Sequence, residues 1–161
     1  MDAKKAVAAT RYPPIGSRGV GLARAQSYGA SFKKYLSWQS DFDDGPVVVV
    51  QIEDIDAVNN LKEILSVEGV DAFFIGPYDL SCSMGIPGEF ERPKFRETIE
   101  KIIEIGKEMN TVSGLHVVEP DISKLNEAIR VGHKFIAYSV DVRMLDVAAR
   151  KGVNEAKRRT E

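Results

Sequence analysis

Four short apolar runs, each too rich in β-branched and aromatic residues to alternate, limit most strongly what this chain can become. They are Val47-Val48-Val49-Val50-Gln51-Ile52, Ala72-Phe73-Phe74-Ile75, Gly114-Leu115-His116-Val117-Val118 and Phe135-Ile136-Ala137-Tyr138-Ser139-Val140. A strand with one wet face alternates, whereas an unbroken apolar run reads as a strand covered on both faces. Between the runs the apolar residues switch to helical spacing. Ile55, Val58, Leu61, Ile64 and Leu65 mark a first helix, closed in Val67-Glu68-Gly69-Val70-Asp71 by a glycine suited to a left-handed turn. Phe95, Ile99, Ile102, Ile103 and Ile105 mark a second, Leu125, Ala128 and Ile129 a third that Gly132 ends, and Val142 to about Arg158 a fourth. Strands alternating with helices predict an α/β fold with a parallel sheet.

The chain has 161 residues, enough for one domain but short of the roughly 250 of a complete eight-stranded barrel. No linker or charge block divides it, so residues 1–161 read as a single domain, with a loop-and-helix region over 1–46 and four βα units over 47–161. In the first region Ala3 to Ala9 look like the end of a helix, Tyr12 to Gly21 form a loop rich in Pro and Gly, and a helix is expected over Ser31 to Trp38. Its aromatics Phe32, Tyr35 and Trp38 suit packing better than a ligand cage. Charged residues make up 29% at a net charge of -2, which argues against a nucleic-acid partner. No apolar stretch approaches the roughly 18 residues of a membrane span, and the N-terminus lacks a signal-peptide core, so a cytoplasmic location is expected. The single cysteine, Cys82, reads as a buried or idle thiol.

In parallel α/β folds, ligands sit beyond the carboxyl ends of the strands. The first strand exits as Gln51-Ile52-Glu53, the second as Gly76-Pro77-Tyr78-Asp79, the fourth as Val140-Asp141. Carboxylates leaving adjacent strands can offer oxygen ligands to one hard cation such as Mg²⁺ or Mn²⁺. Acids are also favoured at helix N-termini, so Glu53 and Asp79 equally suit the starts of the following helices. The Gly76-Pro77 turn is read either as an ordinary tight turn or as a place where the Tyr78 and Asp79 amides meet an anionic ligand. His133, after a helix-ending glycine, is expected to be solvated. His116, inside a strand, faces a site or serves structure. Ser81 and Ser83 lack the surroundings of a hydrolase nucleophile, and Met84 to Gly88 read as a loop bordering the site.

Taken in order, Arg11-Tyr-Pro-Pro-Ile-Gly-Ser-Arg-Gly-Val-Gly21, Gln51-Ile-Glu53, Val67-Glu-Gly-Val-Asp71, Phe74-Ile-Gly-Pro-Tyr-Asp-Leu-Ser81 and Ser83-Met-Gly85 resemble the HpcH/HpaI aldolases. That resemblance implies a (β/α)8 TIM barrel, of which this chain matches about the C-terminal four βα units. It implies a metal-dependent, class II carbon–carbon lyase that cleaves 2-keto-3-deoxy or 4-hydroxy-2-keto acids to pyruvate and an aldehyde without a lysine Schiff base. Glu53 and Asp79 match the family's metal ligands, for Mg²⁺ or Mn²⁺ with Co²⁺ or Zn²⁺ as alternatives. Gln51, Tyr78 and Asp79 match its substrate-binding positions, the last two through backbone amides.

The family's catalytic histidine and carboxylate-binding arginine come from earlier strands and match nothing here. Neither Arg18, His116 nor Arg143 is assigned in their place, and no catalytic residue is named. The expectation is a truncated product, a fragment, or a partial barrel that assembles with another chain, most simply a homo-oligomer. An alternative from another class follows: a catalytically impaired interaction module. On either reading Val48, Val50, Phe74 or Ile75, and Ile136 are expected to face the barrel interior.

Overall fold

The computed structural model describes residues 2–159. Helix α1 (Asp2–Thr10) leads through a loop and a 3-10 segment (Arg24–Gly29) to α2 (Phe32–Ser40). The four βα units follow as β1 (Val49–Ile52), α3 (Ile55–Asn59), α4 (Leu61–Leu65), β2 (Ala72–Ile75), α5 (Pro77–Ser83), α6 (Pro93–Glu108), β3 (Val112–Val117), α7 (Ile122–Val131), β4 (Phe135–Tyr138) and α8 (Asp141–Arg158). Their strands make one parallel sheet in the order β1-β2-β3-β4. The helix expected after β1 is two short ones meeting at Asn60, whose backbone (φ -105°, ψ 17°) lies outside the helical region. Helix α5 is an addition to the sequence reading. Pro77 occupies its first turn, where a missing N–H costs nothing and a fixed φ helps, so the Gly-Pro pair starts a helix.

Residue pairing decides which face each strand residue takes. Ile52 pairs with Ile75, Ile75 with Leu115 and Leu115 with Ile136, and this row faces the helices. There Ile52, Phe73 and Ile75 pack with Val58, Leu61, Leu65, Phe95 and Ile102. A Cβ on Gly106 would come within 2.6 Å of the Phe73 ring, so its absence is what lets α6 lie this close to the sheet. The opposite face carries Val49, Gln51, Phe74, Gly114, His116, Phe135 and Ala137. Of the residues expected on that inner face, only Phe74 takes it. Val50, Ile75 and Ile136, with Val48 just before β1 by the same count, fall on the helix side. A run without alternation carries no parity, and one residue of shift exchanges the faces.

Residues before β1 are organised around Arg11, which is fully buried. Its guanidinium donates to the carbonyls of Gln39 (2.8 Å) and Asp41 (2.5 Å) and lies 4.7 Å from the Phe42 ring centroid. Phe32 and Tyr35 both lie tilted against Tyr12, and Tyr35 against Trp38 at 5.2 Å between centroids, which fits the packing role expected of Phe32, Tyr35 and Trp38. Cys82 is exposed rather than buried. No helix among the described residues is long and apolar enough to cross a membrane.

His133 is 5% exposed, not solvated, because the chain leaving α7 turns its ring under β3, where Nδ1 lies 3.1 Å from Ser113 Oγ. Burial pushes its pKa below the usual 6.5, Lys107 adds to the effect, and a hydrogen bond with Ser113 opposes it. A histidine with a depressed native pKa binds its proton more readily when unfolded, so its contribution is complete above about pH 6.5 and is lost as pH falls below that. Denaturant melts at closely spaced pH values should show stability declining from about pH 6.5 downward, with His133→Gln flattening that decline.

Candidate functional site

The carboxyl end of β1 is tied to that of β2 one step past their last paired residues, where the Gly76 amide donates to the Ile52 carbonyl at 3.1 Å. Glu53 therefore stands beside Gly76. Its Oε2 accepts a hydrogen bond from Gln51 Nε2 at 2.5 Å, and a Cβ on Gly76 would lie 2.8 Å from that nitrogen and 3.1 Å from that oxygen. Glycine leaves the Gln51–Glu53 pair room to lie across the turn, and a Cβ there would push the end of Gln51 aside. Asp79 follows in the first turn of α5, with an exposed side chain. The helix's first internal bond runs from the Leu80 amide to the Gly76 carbonyl at 3.0 Å, so the Tyr78 and Asp79 amides precede it and remain for another acceptor.

Neither carboxylate acts as a helix cap. Asp54 caps α3 by accepting from the Asp56 amide at 2.7 Å, and Gly76, which has no side chain, holds the corresponding place in α5. Asp79 suits the positive end of α5 but makes no capping bond, and Glu53 lies outside α3 altogether. Among the described residues no group of three or more His, Cys, Asp or Glu side chains converges on one point. Two carboxylates with neighbouring amide oxygen match a hard cation that keeps several waters, whereas a closed zinc site would need more protein ligands. The donor set fits Mg²⁺ or Mn²⁺.

His116 lies on the same inner face and pairs with Ala137, and continuing the ladders one residue past Ile52, Ile75 and Leu115 sets Glu53, Gly76 and His116 in the same row. Its Nε2 is 3.4 Å from the Ser139 carbonyl and its ring centroid 6.3 Å from that of Phe74. The sequence shows His116 within a strand, but only the register sets it level with Glu53. Ser139 has left-handed backbone (φ 58°) and a buried hydroxyl with no partner. Arg143 is committed to Glu119, at 2.7 Å through Nη2, and to Asp146, and these acids raise its pKa. Arg18 donates to the Tyr35 hydroxyl at 2.8 Å. Both arginines are thus occupied by structure. A cavity of about 1420 Å³ runs between α1, the free edge of β1 and α4, and neither Glu53 nor Asp79 lines it.

A four-stranded parallel βα sheet defines the class: part of an α/β barrel. A profile of the HpcH/HpaI aldolase/citrate lyase family matches residues 1–148, and the chain belongs to that family. It is 39% identical over 148 residues to a 4-hydroxy-2-oxo-heptane-1,7-dioate aldolase of Shigella flexneri, covering 92% of this chain and 54% of that protein. It is 38% identical to a 2-keto-3-deoxy-L-rhamnonate aldolase of Escherichia coli O1:K1 / APEC, covering 87% of this chain and 51% of that one. A crystal structure of an HpcH/HpaI aldolase/citrate lyase family protein from Burkholderia cenocepacia J2315 superposes with a TM-score of 0.86 at 30% identity, over 97% of this chain and 60% of that chain. The chain spans about half the length of the curated relatives it matches. Its fold is that of part of a TIM barrel, about four βα units.

Left-handed backbone disfavours a side chain at position 139, and the unpartnered hydroxyl adds to the cost. Ser139→Gly should raise unfolding stability by about 1 kcal/mol, measured by denaturant titration. No gain would show that the serine is satisfied in solution.

Proposed function

We propose that the chain carries the metal- and pyruvate-binding side of a class II aldolase site, in a lyase cleaving 2-keto-3-deoxy or 4-hydroxy-2-keto acids to pyruvate and an aldehyde. The observation that carries this reading is the Gln51–Glu53 pair lying over Gly76, beside the uncapped first turn of α5 that bears Asp79. A divalent cation held by Glu53 and Asp79 would supply Lewis-acid polarisation of the substrate's keto oxygen. The chain's own groups bind and orient. The Tyr78 and Asp79 amides donate to the substrate carboxylate, Gln51 fixes the direction of Glu53, and Gly76 leaves those two side chains room beside the turn. In cleavage the C3–C4 bond breaks, the C4 hydroxyl gives up its proton as the aldehyde forms, and C3 gains a proton to give pyruvate. No described residue is assigned as the base. The reading includes a single domain over 1–161 and a cytoplasmic setting.

Calorimetric titration with Mg²⁺ or Mn²⁺, alone and then with pyruvate, tests this. Replacing Glu53 and Asp79 by alanine should abolish binding, and Gly76→Ala should weaken cation affinity about 10- to 100-fold by displacing Gln51 and Glu53. Binding that survives the double replacement would overturn the assignment.

The exposed apolar surface favours a second reading, compatible with the first, in which the chain forms a homo-oligomer. Helix α8 has no buried residue, and Val142, Leu145 and Phe135 are 69%, 71% and 50% exposed. Covering each such side chain is worth about 1.5–3 kcal/mol. Sedimentation over a hundredfold dilution should show dissociation with a falling melting temperature. A compact monomer throughout, melting at one temperature, would remove this reading and leave the site reading untouched.

A further inference from the structure

Gly76 separates two side chains that the register sets level on the inner face. On one side stands Glu53, and on the other His116, two strand spacings or roughly 10 Å away in backbone. Between them lies Gly76, and near the place of its missing Cβ come the flexible ends of Gln51 and Glu53. Nothing placed at the Glu53 end by the proposed function accounts for the histidine at the other. From this geometry we propose that His116 is a specificity residue, and that its free ring nitrogen recognises a hydroxyl on the aldehyde-derived part of the substrate.

The imidazole is held for that task. Phe74, on the same face, lies against its ring at 6.3 Å between centroids, tilted by 32°. The Ser139 carbonyl faces Nε2, and it is available because the backbone leaves the ladder there: Ser139 donates its amide to Val117 at 2.7 Å and then turns left-handed. A carbonyl can only accept, so Nε2 carries the proton and donates, and in the neutral ring Nδ1 is then an acceptor. Among the described residues nothing bonds to Nδ1. A lone acceptor selects a donor, and the donor an aldol substrate offers beyond the scissile bond is a hydroxyl. The buried, unpartnered hydroxyl of Ser139 leaves the same strand exit with further unmet hydrogen-bonding capacity.

This inference rests on the proposed pyruvate-binding reading, which puts the substrate's carboxylate end at Glu53 and Asp79 and so directs its far end along the row. The inert mimics N-ethyloxamate and N-(2-hydroxyethyl)oxamate, which differ only in the distal hydroxyl, separate the two claims. Each is titrated with Mg²⁺ into the whole chain by calorimetry, alongside Mg²⁺ with pyruvate. The ring signals of His116 and His133, the only histidines, are followed by NMR. The hydroxylated mimic should bind about 3- to 10-fold more tightly, as one neutral hydrogen bond provides, and should shift the His116 signals alone. His116→Leu should erase that preference and His116→Asn, which keeps an acceptor near Nδ1, should restore part of it, with pyruvate affinity unchanged in both. Equal binding of the two mimics, or a preference that persists in His116→Leu, overturns the specificity role while pyruvate binding still upholds the metal site. Failure of pyruvate and both mimics to bind overturns both.

Discussion

Three in-register parallel ladders are the constraint from which the site follows. Because Ile52, Ile75, Leu115 and Ile136 share one row, the next residue of each strand shares the next, on the opposite face. Glu53, Gly76, His116 and Ala137 are thereby gathered from positions 84 residues apart along the chain, counting from 53 to 137. The helix-facing row fixes the one on the inner face. A slip by one residue would send Ile52 and Ile75, both at or near zero exposure, to the inner face, and would turn Glu53 and His116 into the helix layer. The apolar core therefore holds the polar row in place through the backbone, without touching it.

Acids at both ends of the sheet are committed to structure, with Asp54 and Glu119 at the carboxyl end among them. At the amino end Asp71 is used up by structure: its Oδ2 accepts from the Val48 amide at 2.6 Å, fastening the start of β1 to β2. Arg11 serves the same end from the other direction, drawing the 39–46 segment onto itself with buried carbonyl bonds. At the carboxyl end Glu53 accepts only from a neighbouring side chain, Asp79 from nothing recorded among the described residues, and His116 keeps one nitrogen unused.

Much of this was legible in the sequence. The four strands, the sheet's parallel sense, the exits at Glu53 and Asp79 and the packing role of the Tyr35 and Trp38 rings all follow from local pattern. What was not legible depended on register or on distance along the chain. Val50 and Phe74 belong to equally apolar runs, so only pairing across strands reveals that they point to opposite faces. His133 looked solvated because Gly132 ends a helix, but the turn that follows carries the ring under Ser113, twenty residues earlier. Helix α5 was hidden because Gly-Pro serves a turn and a helix start equally well.

Gly76 joins these threads. Its backbone is extended (φ -95°, ψ 91°), so the turn itself does not require glycine. Crowding does. The space a methyl would take is filled by Gln51 and Glu53, side chains that could have swung into solvent at no cost to the core. A residue selected for folding alone could carry a Cβ here and let those two polar groups move aside. The missing methyl instead keeps a carboxylate pressed against a backbone turn with free amides. That arrangement does little for stability, and it sets a carboxylate and two amides without helical partners side by side at one strand exit.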